Sequence, residues 1–261
     1  MNSDLRDATI ARIGALFGSD MQIDSDRAMA QLLELGRNIG PAFGDELIDD
    51  NPGLLALAPT AARHYYNNIT RHEFAEAEAL LLRRGNGQFR YADVAQTFGK
   101  HNYDRVRDMF DVVDFQSCRQ FVLIGCGPLP MTLYHVHDRT KVPELIAVDL
   151  NAASIDLVKR TAQAFSLARV ATRETAGEAY DFSGADVIYV ANLVRPKKEV
   201  LRRIADTAPR HAVIVLRDPY SLGRLLTERG ADYVGDRYTV VRVTEPETAH
   251  FSRHVFLRLR A

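Results

Sequence analysis

The chain has 261 residues, 46% apolar and 26% charged, with a formal net charge of −1. That balance is ordinary for a globular protein and gives no general attraction for nucleic acid or anionic lipid. No apolar segment has the length of a membrane span, and the amphipathic, acid-bearing N-terminus does not read as a signal peptide, so a cytoplasmic protein without a membrane partner is expected.

Two cysteines, Cys118 and Cys126, are too few for a disulfide framework, and no Cys/His spacing resembles a zinc site, so no metal is expected. The pairs His135/His137 and His250/His254 read as helix-surface histidines. No internal repeat or low-complexity stretch interrupts the chain.

Residues 1–116 read as a helical domain. Leu5, Ile10, Ile13, Leu16 and Phe17 recur at helical spacing, as do Met29, Leu32, Leu33 and Leu35 after the acidic start at Asp24 and Asp26. Gly36 to Gly53 reads as irregular. A long helix is expected from Pro59, favourable in a first turn, to the basic and glycine-rich stop at Arg83-Arg84-Gly85-Asn86-Gly87. On it Tyr66, Ile69, Ala77 and Leu80 form one stripe, and an advance of about 100° per residue sets Glu73 in its middle.

An inward carboxylate has two readings. It pairs with an arginine at a seam, or it is a desolvated acid facing a pocket, with proton affinity raised enough to accept a proton near neutral pH. Glu76 and Glu78 fall at the edge and on the far side of the stripe. After Phe89 and Tyr91, a helix is expected over 102–113, with Tyr103, Val106, Phe110 and Val113 on one face.

Residues 117–261 read as a Rossmann-like domain, strands alternating with helices around a parallel sheet. Phe121 to Ile124 is an apolar strand that stops at Gly125-Cys126-Gly127, where a helix opens. Glycines there let a ligand approach the backbone without meeting a Cβ, and the helix start offers unpaired N–H groups. Cys126 reads as a small spacer in that turn rather than a nucleophile. The second strand, from Glu144 to Val148, ends in Asp149, about 20 residues after the glycines, where nucleoside-binding folds place the acid that holds ribose hydroxyls; Leu150 adjoins it.

A helix follows over 152–165, then a strand near 169–172 leading to Glu178, a candidate neighbour of the base. Strands over 186–190 and 212–216 run into turns at Ala191-Asn192 and at Arg217-Asp218-Pro219. Both turns lie at carboxyl ends of strands, where ligands of open sheets bind. Segments 238–243 and 254–259 read as a closing antiparallel pair.

A dinucleotide fingerprint is incomplete, because the turn continues Pro128-Leu129-Pro130 where a third glycine would allow close helix packing. S-adenosylmethionine, which has no phosphate, needs only close backbone approach and a ribose acid. The run IGCGPLPMTL at 124–133, VDLN at 148–151, the VANLV turn before Lys197, and Arg217 at its strand end resemble the nicotianamine synthase family and its bacterial members that make opine metallophores. EFAEAEALL at 73–81 and HNYDRV at 101–106 extend the resemblance more loosely into the helical half.

The resemblance implies a class I S-adenosylmethionine-dependent methyltransferase-like fold under a helical cap. It also implies an enzyme that moves the 3-amino-3-carboxypropyl (aminobutanoyl) group to an amine and releases methylthioadenosine. Glu73 then matches a family glutamate and stands as the base, assisted by Tyr103. Arg217 matches a family arginine that would grip a substrate carboxylate, with Tyr91 also at the substrate; the alternative for Arg217 is an ion pair with Asp218. Gly125, Cys126, Gly127, Asp149, Leu150, Glu178, Ala191 and Asn192 would line the cofactor. Some relatives instead use the α-amine of S-adenosylmethionine itself and close azetidine-2-carboxylate. An ordinary methyltransferase and a noncatalytic S-adenosylmethionine-binding protein remain further readings, and a homodimer is possible.

Overall fold

A computed structural model describes residues 3–18, 24–85, 106–245 and 251–260. The first helices are α1 (Ser3–Phe17), α2 (Ser25–Ile39), α3 (Pro41–Asp50), α4 (Pro52–Leu55) and α5 (Ala58–Gly85). Asp24 caps α2 by accepting the Asp26 N–H, as its acidic start predicts.

The stretch expected to be irregular is instead helical. Pro41 and Pro52 each sit in a first turn, where a missing N–H costs nothing, and Gly40 at φ 75° makes the bend between α2 and α3. In the helix expected over 102–113, the described part holds a 3-10 segment, Arg107–Asp111, which buries Met109, with Val106 and Val113 buried on either side of it. The apolar spacing is there, but among the described residues the helical part is the short 3-10 segment alone. Tyr103 and Tyr91 lie outside the described residues.

The sheet contains β1 (Gln120–Ile124), β2 (Glu144–Asp149), β3 (Val170–Glu174), β4 (Val187–Val190), β5 (Val213–Pro219), β6 (Tyr238–Val243) and β7 (Ser252–Leu259). Its order is β3-β2-β1-β4-β5-β7-β6, parallel from β3 to β5, with β7 antiparallel to both β5 and β6. The crossover helices are α6 (Met131–Arg139), α7 (Ala152–Ala164) and α8 (Lys197–Thr207).

Alternation along each strand divides the core between the two faces. Phe121, Leu123, Ala147, Tyr189 and Val215 face α5, α6 and α7, while Val122, Ile124, Val148, Val190 and Leu216 face α8. Both faces being covered explains why these strands read as continuous apolar runs.

β5 runs through Arg217 to Pro219, beyond the expected turn, because β7 pairs with it there: Arg217 lies opposite His254. His254 is therefore a buried strand residue, and His135 is buried on α6, so neither is the helix-surface histidine expected. The helical half is also not closed on itself. Its core of Ile13, Leu32, Leu47 and Ala61 takes in Leu222, Leu225 and Phe251 from beyond β5.

Candidate functional site

The chain order of the sheet reverses between β1 and β4, and the crevice at that switch point is where open α/β sheets bind ligands. Here α5 roofs the crevice and encloses a cavity of about 940 Å³. Gly125, Cys126, Gly127, Asp149, Leu150, Glu178, Ala191, Asn192, Arg217 and Glu73 all line it, so one space gathers every candidate residue that the structure describes.

The glycine turn is set by backbone geometry. Gly125 and Gly127 have φ of 71° and 61°, in the left-handed region that disfavours a side chain. The N–H groups of Gly125 and Cys126 both donate to the Val148 carbonyl, at 2.9 and 3.0 Å. Gly127 N–H donates to Asp149 Oδ2 at 2.8 Å, and Asn151 N–H to Asp149 Oδ1 at 2.9 Å. Asp149 is thus braced at the end of β2 with one bond on each oxygen, and a carboxylate oxygen accepts two.

Leu150, 73% exposed, forms an apolar lip beside it, and Glu178 stands exposed on the rim. The Cys126 thiol is buried and donates to the Gly127 carbonyl at 3.3 Å; burial, with the nearby Asp149 and Glu73 charges, raises its pKa well above the ordinary thiol value. That suits a spacer and not a nucleophile.

The opposite wall is α5. A Cβ placed on Gly127 would lie 2.9 Å from Glu73 Oε2, so the carboxylate rests directly against the turn. Burial raises the Glu73 pKa from 4.5 to about 7, opposed by the Arg217 charge and helped by that of Asp149. Tyr66, expected on the buried stripe, is half exposed at the cavity edge. Its neighbour Tyr65 turns inward, hydrogen-bonded to Asn192, and burial raises its pKa so that its proton stays. Asn192 Oδ1 also accepts from the Thr227 hydroxyl at 3.0 Å.

Tyr65 was missed by the sequence reading, although Tyr65, Ile69 and Glu73 stand at i, i+4 and i+8, a spacing that marks one helix face. Arg217 Nε donates to Ser252 Oγ at 3.0 Å, and its charge acts on Glu73, Tyr65 and His254. Asp218, the ion-pair partner considered for it, points to the other face of the sheet, toward Lys197 and Arg229.

Deeper still, Tyr189 Oη is bonded to His254 Nε2 at 2.9 Å. Burial and the Arg217 charge hold that imidazole neutral, its pKa lowered to about 3. Among the described residues no group of three His, Cys, Asp or Glu is placed to hold a metal, and no helix is long and apolar enough to cross a membrane.

Sheet order, antiparallel β7 and a ligand crevice at the β1/β4 switch define a class I S-adenosylmethionine-dependent methyltransferase-like fold. By sequence, the chain matches no family model and no curated protein. In structure it is similar end to end to MtNAS, a nicotianamine synthase. A Glu-to-Gln variant of MtNAS in complex with S-adenosylmethionine matches with a TM-score of 0.80 and 16% identity, over 98% of both chains. MtNAS in complex with MTA and tNA matches with a TM-score of 0.76 and 16% identity, over 99% of this chain and 98% of that one. The mitomycin 7-O-methyltransferase MmcR matches less closely, with a TM-score of 0.51 and 15% identity over 80% of this chain and 72% of its own. The helical half thus belongs to the shared architecture with MtNAS.

Proposed function

We propose that the protein is a nicotianamine-synthase-like enzyme that transfers the aminobutanoyl group of S-adenosylmethionine to an amine and releases methylthioadenosine. Residues 1–116 act as the cap and residues 117–261 as the S-adenosylmethionine-binding domain. The observation that carries this reading is Glu73: an acid with its pKa raised to about 7, resting on the glycine turn and within reach of the Arg217 charge. A methyl transfer would call for its base at the acceptor facing the methyl group, whereas Glu73 stands against the glycine turn, beside the amino-acid end of the ligand. The likeness to MtNAS, solved with S-adenosylmethionine and with MTA, supports the same substrate here.

Asp149 would accept both ribose hydroxyls, Leu150 and Glu178 would flank the base, and Ala191 and Asn192 would close the floor. Arg217 would hold the carboxylate of the transferred group with its planar fork. All three carbons on the sulfonium are electrophilic, and the one that reacts is the one presented in line to a nucleophile about 3 to 3.5 Å away.

As Glu73 takes a proton from the ammonium, the amine lone pair forms the N–Cγ bond. The Cγ–S bond breaks with its electron pair going to sulfur, which leaves as a neutral thioether. Tyr103 and Tyr91 are proposed to meet the acceptor amine, and the product would be a polyamine-carboxylate suited to a metallophore.

Cyclisation to azetidine-2-carboxylate is the second reading, favoured by one observation. Glu73 Oε2 stands against the turn at Gly127, where the α-amine of S-adenosylmethionine itself would pass. Incubation of the protein with S-adenosylmethionine alone, then with added amino acids, separates these readings by product mass. Methylthioadenosine only with an added amine supports transfer; methylthioadenosine with azetidine-2-carboxylate from S-adenosylmethionine alone means cyclisation. Formation of S-adenosylhomocysteine, or binding without turnover, would sink both.

A further inference from the structure

On the face of the sheet opposite α5 lies a set of buried charges that the reaction above does not use. Lys197, the first residue of α8, and Asp218 on β5 are both 0% exposed. A lysine so buried is rare unless its charge is answered. Lys197 Nζ donates to the Glu228 carbonyl at 2.6 Å and to the Arg217 carbonyl at 3.4 Å, and the Asp218 and Glu228 carboxylates oppose its charge.

The cluster is closed by backbone bonds. Asp218 Oδ1 accepts from Ala231 N–H at 3.1 Å, and Glu228 Oε2 from the N–H of Lys197 itself at 2.9 Å. Gly230 leaves room for the lysine stem, since a Cβ there would lie 3.2 Å from Lys197 Cδ and 2.9 Å from Leu216. Burial lowers the Lys197 pKa to about 8, against the raising effect of both carboxylates, so the ammonium is charged at neutral pH.

Arg217 is where this cluster meets the cavity. Strand alternation turns Arg217 toward α5 and Asp218 toward α8, so consecutive residues of β5 serve the two faces. The guanidinium is held sideways by Ser252 and the Arg217 carbonyl is held from beneath by Lys197. We propose that Lys197 is a positioning residue for Arg217: its buried ammonium, bonded to the Arg217 carbonyl and fixed by Asp218 and Glu228, aims the guanidinium at the substrate carboxylate.

The inference rests on the reading that Arg217 binds the carboxylate of S-adenosylmethionine. Methylthioadenosine lacks that carboxylate, so titration calorimetry with the two ligands isolates the effect. Lys197→Met keeps the length and apolar bulk of the stem. It should weaken S-adenosylmethionine about tenfold and change methylthioadenosine by less than about twofold. In an Arg217→Met background the same substitution should add nothing, because residues acting through one another are not additive. A general packing defect would instead weaken both ligands and add to Arg217→Met.

If Lys197→Met fails to melt cooperatively, Asp218→Asn, which removes the fixing charge and keeps the shape, should weaken S-adenosylmethionine about threefold with methylthioadenosine again spared. Equal effects on the two ligands, or none, overturn the positioning role while leaving the site reading intact. Failure of the unaltered protein to bind S-adenosylmethionine overturns the site reading, and the inference with it.

Discussion

The two walls of the cavity are built in different ways. At the glycine turn of the sheet wall the polar groups are backbone or are braced by backbone: the turn N–H groups go to Val148, and Asp149 is fixed by Gly127 and Asn151. Strand ends dictate where each group stands. On the helix wall, side chains of α5 do the work, and Glu73 is defined by loss of water more than by a partner. A braced carboxylate suits recognition of fixed hydroxyls, whereas a desolvated one suits proton transfer. Under the proposed function the sheet wall would set which ligand is held and the helix wall what is done to it.

Glu73→Gln tests that division with the largest effect. Loss of a general base lowers rates by about 10²- to 10⁴-fold, so methylthioadenosine release should fall by that order while the affinity for S-adenosylmethionine stays near that of the unaltered protein. In the unaltered protein the rate should rise with pH through about 7, as Glu73 loses its proton, and then level off. A rate flat from below 6 to above 8 would remove Glu73 as the base.

Stability moves the opposite way. With the folded-state pKa raised from 4.5 to about 7, the folded protein binds more protons than the unfolded chain between those values. Stability therefore falls as pH rises through that window, by about 3 kcal/mol once above it. Glu73→Gln should accordingly melt higher than the unaltered protein at pH 8 and lose that advantage below the window, as a thermal melt series would record.

Asp149→Ala should act on the other wall. Hydrogen bonds to a charged group contribute about 1.5 to 3 kcal/mol, so S-adenosylmethionine and methylthioadenosine should both bind about 10- to 100-fold more weakly, and the pH–rate midpoint should move down because the Asp149 charge helps to raise the Glu73 pKa. Unaltered affinity would remove Asp149 from the ribose. Tyr65→Phe spans the walls, because it deletes the bond from α5 to Asn192. About 1 kcal/mol is at stake, so a change of about fivefold in the specificity constant is expected. A loss as large as that of Glu73→Gln would mean that the walls do not divide the labour.

The sheet wall was largely legible in the sequence because its residue types are forced locally. Glycine is favoured at the positive φ values of 125 and 127, and an acid at the end of the next strand lies beside that turn whatever surrounds it. Glu73 was legible because one periodicity along one helix turns it inward. The Tyr65–Asn192–Thr227 chain and the Lys197–Asp218 cluster were not, since each depends on partners from separate elements. His254 looked like a surface residue because its partner, Tyr189, is 65 residues away across the sheet. Gly36 to Gly53 looked irregular because a proline that opens a helix, as Pro41 and Pro52 do, and one that ends it are the same letter.

The smallest effect concerns what holds the helix wall in place. Arg160 on α7 reaches Glu78 on α5 at 3.3 Å, a pair whose side chains are 47% and 50% exposed. Such pairs gain little in water, so Arg160→Ala should shift the melting temperature by no more than about 2 °C and leave methylthioadenosine release unchanged. The register of α5 over the sheet is instead set by Ala77 and Leu80, buried one and two turns beyond Glu73 in the core shared with β1 and α7. If Arg160→Ala slowed turnover without lowering the melting temperature, the helix wall would be aligned by charge. Added salt should then slow methylthioadenosine release by the unaltered protein in the same way, whereas a wall aligned by packing should be indifferent to it.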